Sequence, residues 1–167
     1  MNPVPSISIF KTRGKKRHYT LDMGAHGQAT LQYESLFCKN AVGRINDQEW
    51  KFVRKGLWKK ELEIVAQQSP YTKIHVKLGW RQKLTLRAPD NNSYTFKCAG
   101  FLRRRWVWLD ARGQQLMEIK SRPLSRKRCG MVTQHAPWTP TLSWLLLVGW
   151  FQLVIWEEQT IGAAAAA

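Results

Sequence analysis

With 167 residues the chain is long enough for one domain with a real core, and its hydrophobic share of 44% is ordinary for a globular protein. The net charge of +16, from 27 Lys and Arg against 11 Asp and Glu, points to an anionic partner and says nothing about fold. Three cysteines (Cys38, Cys98 and Cys129) are odd in number, widely spaced and without a CxxC pair, which argues against a disulfide framework or zinc site and fits a reducing, cytoplasmic setting.

Pro3, Pro5 and the basic cluster after them interrupt any apolar run, so no signal peptide is expected. Ile7 and Ile9 alternate with serines, the first strand signal. Thr12 to His18 is a basic turn around Gly14, and Tyr19, Leu21 and Met23 resume the alternation. Leu31 and Tyr33 follow, and Leu36 to Ile45 reads as strand toward an Asn46-Asp47 turn. Trp50 and Phe52 then oppose Lys51 and Val53. Leu57 to Ala66 is helical by composition, but its Gly56 and Pro70 bounds and its neighbours favour a strand.

The middle of the chain alternates most cleanly. Thr72, Ile74, Val76 and Leu78 interleave with Tyr71, Lys73, His75 and Lys77, and Leu84 and Leu86 with Lys83, Thr85 and Arg87. Pro89 to Asn92 forms a turn, and Tyr94, Phe96 and Cys98 face away from Thr95 and Lys97. Phe101 to Asp110, Leu116 to Ile119 and Gly130 to Thr133 complete about twelve short strands at roughly 8–12 residue spacing, as in a sandwich or barrel.

One apolar run, Leu142 to Trp156, closes the chain, interrupted only by Ser143, Gly149 and Gln152. As a helix it spans ~22 Å, short of the ~30 Å of a bilayer core, and it is apolar on every face. Such a helix must be enclosed all round, so a buried helix is the first reading, ahead of a strand or a membrane segment. Thr139 is placed to cap it, with Pro140 at the first helical position. Glu157 and Glu158 end the run, although acids are not what a helix C-terminus favours. Gly149 costs about 1 kcal/mol of helix propensity relative to alanine, which implies close approach of a neighbour there. Residues 1–162 read as one all-β domain with a C-terminal helix. Ala163 to Ala167 are set aside as a tag remnant or placeholder.

The strands and the closing helix resemble the tubby-like family, which includes tubby C-terminal domains, phospholipid scramblases and LURP-one-related proteins. The resemblance rests on EWKFVRKGLWKKELEIV (Glu49 to Val65), DNNSYTFKCAGFLRRRWVWLDARGQQLMEI (Asp90 to Ile119) and LSWLLLVGWFQLVIW (Leu142 to Trp156). It implies a mainly β fold, a closed antiparallel barrel of about twelve strands around a buried apolar C-terminal helix. It also implies lipid association: tubby domains bind phosphoinositide headgroups through basic side chains. LURP-one proteins have no established catalysis, and no acidic loop here resembles a scramblase calcium site.

No GxGxxG, Walker loop, HExxH or GxSxG occurs, the four histidines (18, 26, 75 and 135) are scattered, and the acids form no obvious couple. Neither catalysis nor a cofactor is expected. His75 reads as a surface side chain, and the cysteines as small buried hydrophobes, Cys98 most clearly. The positive charge is organised instead. Lys73 and Lys77 share one strand's outer face, Lys83 and Arg87 the next, Lys97 the third, and Arg103, Arg104 and Arg105 the fourth. That band is either a site for headgroups and other anions or a solvated face that discourages edge pairing. Arg103 to Arg105 beside Trp106 and Trp108 offers cation and aromatic chemistry, but a core role for these tryptophans is the better reading. The leading expectation is a non-enzymatic module on an anionic membrane surface. An adaptor subunit docked on an acidic protein is the alternative, with nucleic acid third.

Overall fold

The structure, a computed structural model, describes residues 7–165 apart from 13, 15–16, 36–39, 56–60, 70–72, 80–81, 101–103 and 123–127, and only the backbone at 77 and 79. Its strands are β1 (Ile7–Lys11), β2 (His18–Asp22), β3 (Gln28–Tyr33), β4 (Ala41–Ile45), β5 (Gln48–Lys55) and β6 (Glu61–Ala66). They continue as β7 (Lys73–Gly79), β8 (Lys83–Arg87), β9 (Ser93–Cys98), β10 (Arg105–Leu109), β11 (Gln115–Ser121) and β12 (Arg128–Gln134). Each pairs antiparallel with its neighbours in sequence, and β1 pairs with β12 to close the barrel. Closure removes the unpaired edge that an open sheet would leave exposed. The choice between sandwich and barrel is thereby settled.

Turn chemistry sets the hairpins. Ile45 pairs with Gln48 across the two-residue Asn46-Asp47 turn, where Asn46 adopts φ 52°, a conformation asparagine tolerates. Asn91 (φ 67°) and Gly113 (φ 80°) do the same between β8 and β9 and between β10 and β11. Asp90 accepts the backbone N–H of Asn92 and the hydroxyl of Tyr94, at 2.9 and 2.6 Å. Burial alone would raise the Asp90 carboxyl, but these hydrogen bonds outweigh it and hold it below its ordinary value.

The helix α1 (Pro140–Ala165) runs through the barrel, and every residue from Leu142 to Trp156 is buried. Leu142 N–H donates to Thr139 Oγ1 at 3.2 Å, which caps the helix directly before Pro140. Aromatic rings meet along its length. Trp144 meets Trp50 edge-on at 5.7 Å, Phe151 stacks on Phe52 at 4.8 Å, and Trp156 stacks on Trp106 at 5.1 Å. Trp106 and Trp108 point inward and are 1% and 0% exposed, so they belong to the core and offer no outer stacking surface beside the arginines. Among the described residues no helix is long and apolar enough to cross a membrane.

Three glycines let this core close. A Cβ on Gly43 would lie 2.6 Å from Leu147, one on Gly130 2.8 Å from Trp150, and one on Gly149 2.6 Å from Trp108. The close approach expected at Gly149 is thus to the Trp108 ring. Of the two described cysteines, Cys129 is buried, with its thiol pushed up to about 11 by burial, whereas Cys98 is only half-buried; Cys38 lies outside the described residues.

The helix does not end at Glu157-Glu158 but continues through the alanines to Ala165. The two acids therefore sit inside it, tied to the barrel wall. Glu158 pairs with the buried Arg17 at 2.9 Å, and Glu157 accepts a hydrogen bond from Ser121. Two polar contacts reach further in: Arg54 Nη1 donates to Gln152 Oε1 at 3.1 Å, and the Tyr33 hydroxyl donates to the Phe151 carbonyl at 2.8 Å. Burial lowers Arg54 to about 10, which leaves it charged at neutral pH.

Burial raises the Glu157 carboxyl above its usual range, against the opposing pull of Ser121 and Arg104. A carboxyl with a raised folded-state pKa favours folding at low pH, and that contribution is lost as pH rises through its folded value. Glu157→Gln keeps an acceptor for Ser121 and removes the half-buried charge. It is expected to raise the melting temperature at neutral pH, with the gain vanishing below the ordinary carboxylate range. Thermal melts across pH check this; an unchanged or lower neutral-pH value contradicts it.

Candidate functional site on the β7–β9 face

Strands β7, β8 and β9 contain no Asp or Glu. Alternation sends Ile74, Val76, Leu84, Leu86, Tyr94 and Phe96 toward the core, and Lys73, His75, Lys83, Arg87 and Lys97 outward, where all five are exposed. Lys77 takes the register position opposite Thr85. The three strands are consecutive neighbours in the wall, so these cations share one continuous surface.

Register concentrates the charge. Lys83 pairs directly with Lys97, and Thr85 with Thr95 one step along, their hydroxyl oxygens 3.3 Å apart. Lys83 and Arg87 flank Thr85 along β8, roughly 13 Å apart at strand rise. Like charges directly opposite on a sheet destabilise it by a few tenths of a kcal/mol or more. Among the described residues no carboxylate lies within ion-pair distance of Lys73, Lys83, Arg87 or Lys97. The paired hydroxyls of Thr85 and Thr95 lie between these cations, so the face presents O–H and N–H donors together.

Carboxylates stand on β6, next to the face, where exposed Glu61 takes the register position opposite Lys77, and on β11, beyond β10. On β6, Glu63 pairs with Lys55 at 2.9 Å and lies 3.9 Å from His75. The Lys55 hydrogen bond, against the effect of burial, holds the Glu63 carboxyl below its ordinary value. On β11, Glu118 pairs with Arg105 at 2.6 Å and Lys120 at 3.6 Å, and the Arg105 hydrogen bond lowers it likewise. The band expected across four strands therefore divides. Lys83, Arg87 and Lys97 form its uncompensated part, Lys73 is exposed but feels the charge of Glu63, Arg105 is committed to Glu118, and Arg104 is exposed just before β10. Arg103 lies outside the described residues.

Sequence reading missed a second concavity, at the barrel mouth where α1 begins. A cavity of about 810 Å³ opens there between the β4–β5 turn, the end of β6 and Trp138. Among the described residues no cluster of three His, Cys, Asp or Glu side chains is placed to hold a metal ion. No family model, curated protein or solved structure matches the chain.

Proposed function

We propose that this protein is a non-enzymatic binding module of the tubby-like kind, whose β7–β9 face attaches it to an anionic phospholipid surface on the cytoplasmic side of a membrane. The observation that carries the reading is the Lys83–Lys97 pair, two like charges held opposite each other among three strands without acids. Such a pair costs the fold stability until an anion occupies it, which is the pattern of a binding surface rather than of a scaffold. Charge alone sets the strength. Each Lys or Arg near an anionic leaflet contributes about 1 kcal/mol, so the four exposed cations Lys73, Lys83, Arg87 and Lys97 supply about 4 kcal/mol, a millimolar and reversible attachment.

Co-sedimentation with vesicles tests this. Binding to phosphatidylserine-containing vesicles is expected, with none to pure phosphatidylcholine and a steep loss on adding salt. Equal binding to both vesicle types, or to neither, contradicts the proposal. Salt-resistant capture of a stoichiometric acidic protein in place of lipid would assign the face to protein docking.

A further inference from the structure

The mouth cavity has a chemistry opposite to that of the barrel wall. Its volume of about 810 Å³ falls within the roughly 300–1,000 Å³ of small-molecule sites. Trp50 and Trp144 form the inner surface, and Trp138 stands beside them. Trp138 is fixed from two directions: its ring stacks on His26 at 5.4 Å, and its indole N–H donates to Ser143 Oγ at 2.9 Å. The β4–β5 turn supplies the opposite rim and is braced from below. Gln68 donates to the Asp47 carbonyl at 2.6 Å and accepts the Glu49 N–H at 3.2 Å. The side chains of Asp47 and Gln48 stay exposed at this rim and have no protein partner among the described residues.

In a chain with 27 Lys and Arg, none of the described ones lines this cavity, and among the described residues its ionisable lining side chains are His26 and Asp47. A phosphate or carboxylate ligand would find no fixed positive charge there. A wholly apolar ligand would strand the rim amides and hydroxyls out of water. A methylated ammonium would suit tryptophan and Asp47 but leave the amides of Asn46 and Gln48 without use. A sugar ring matches both halves, with a flat C–H face for indole and hydroxyls that donate to a carboxylate and exchange hydrogen bonds with amides. We infer that the barrel mouth binds a neutral saccharide, its ring against Trp138 and its hydroxyls on Asp47 and Gln48. This site is separate from the β7–β9 face and stands or falls without it.

Saturation-transfer NMR on the full chain tests the inference. The probes are neutral trisaccharides of glucose, galactose, mannose and N-acetylglucosamine, with choline and inositol trisphosphate as charged comparators. At least one trisaccharide is expected to bind, and Trp138→Ala to weaken it roughly tenfold or more. Gln48→Ala, an exposed rim change that leaves the core intact, is expected to weaken it severalfold with an unchanged circular dichroism spectrum. The inference is overturned by absence of binding across the saccharide panel, by choline or inositol trisphosphate binding in the sugar's place, or by sugar binding that both variants leave undiminished.

Discussion

A chain ending at residue 140 is expected to be insoluble and unfolded. It would lose the helix that fills the barrel, including twelve apolar side chains from Leu142 to Trp156 that are each at least nine-tenths buried. Each such side chain contributes roughly 1.5–3 kcal/mol by burial. Together they exceed the whole ~5–15 kcal/mol by which a domain is stable. Inward rings of the wall, Phe52, Phe96, Trp106 and Trp108 among them, would face an empty lumen. A peripheral membrane anchor behaves in the opposite way, since its deletion releases a folded, soluble domain. Circular dichroism and solubility of the shortened chain separate the two, and a folded soluble product would refute the enclosed helix.

Gly149→Leu is expected to destabilise the fold by about 1–3 kcal/mol or more through overpacking. The helix backbone at Gly149 lies against the Trp108 indole, which is 0% exposed and stacked on Phe96 at 4.9 Å, so it has nowhere to retreat. Even Gly149→Ala should lose stability. Alanine gains up to about 1 kcal/mol of helix propensity, but its Cβ would sit 2.6 Å from Trp108 Nε1, a distance that forces a shift in a packed core. Gly162 is the control. It lies in the exposed last turns of the same helix with nothing within 4 Å of an added Cβ, so Gly162→Ala should be neutral or stabilising. Thermal melts decide; a Gly149→Ala protein as stable as Gly162→Ala would show that the helix does not press on the wall.

Sequence and structure agree most closely where a pattern is local. Alternation from Lys73 to Leu78 and from Lys83 to Arg87 fixes which side chains face the core, and Asn46, Asn91 and Gly113 mark turns because few other residues tolerate positive φ. The helix was legible because a run without a polar stripe can only be enclosed. Barrel closure was not legible from alternation, which separates inside from outside but carries no information on the β1–β12 pairing of residues more than a hundred positions apart. The helix terminus was misread because Glu157 and Glu158 look like an end until Ser121 and Arg17 are seen to meet them. The mouth cavity left no sequence trace either. His26, Gln48, Gln68, Pro89 and Trp138 come from five separate connections and strand ends, each an ordinary turn or loop by itself.

Charge placement, rather than total charge, is the core of the functional account, and matched charge reversals address it. Lys83→Glu with Lys97→Glu, and Lys11→Glu with Arg112→Glu, each lower the net charge by four from +16, and all four side chains are exposed. The first pair spans β8 and β9 on the β7–β9 face, and the second lies on β1 and the β10–β11 turn. Binding to phosphatidylserine-containing vesicles should be abolished by the first pair and only modestly weakened by the second, with both proteins folded by circular dichroism. Equal losses for the two pairs would mean that net charge alone attracts the protein, and would contradict a binding face built on Lys83 and Lys97.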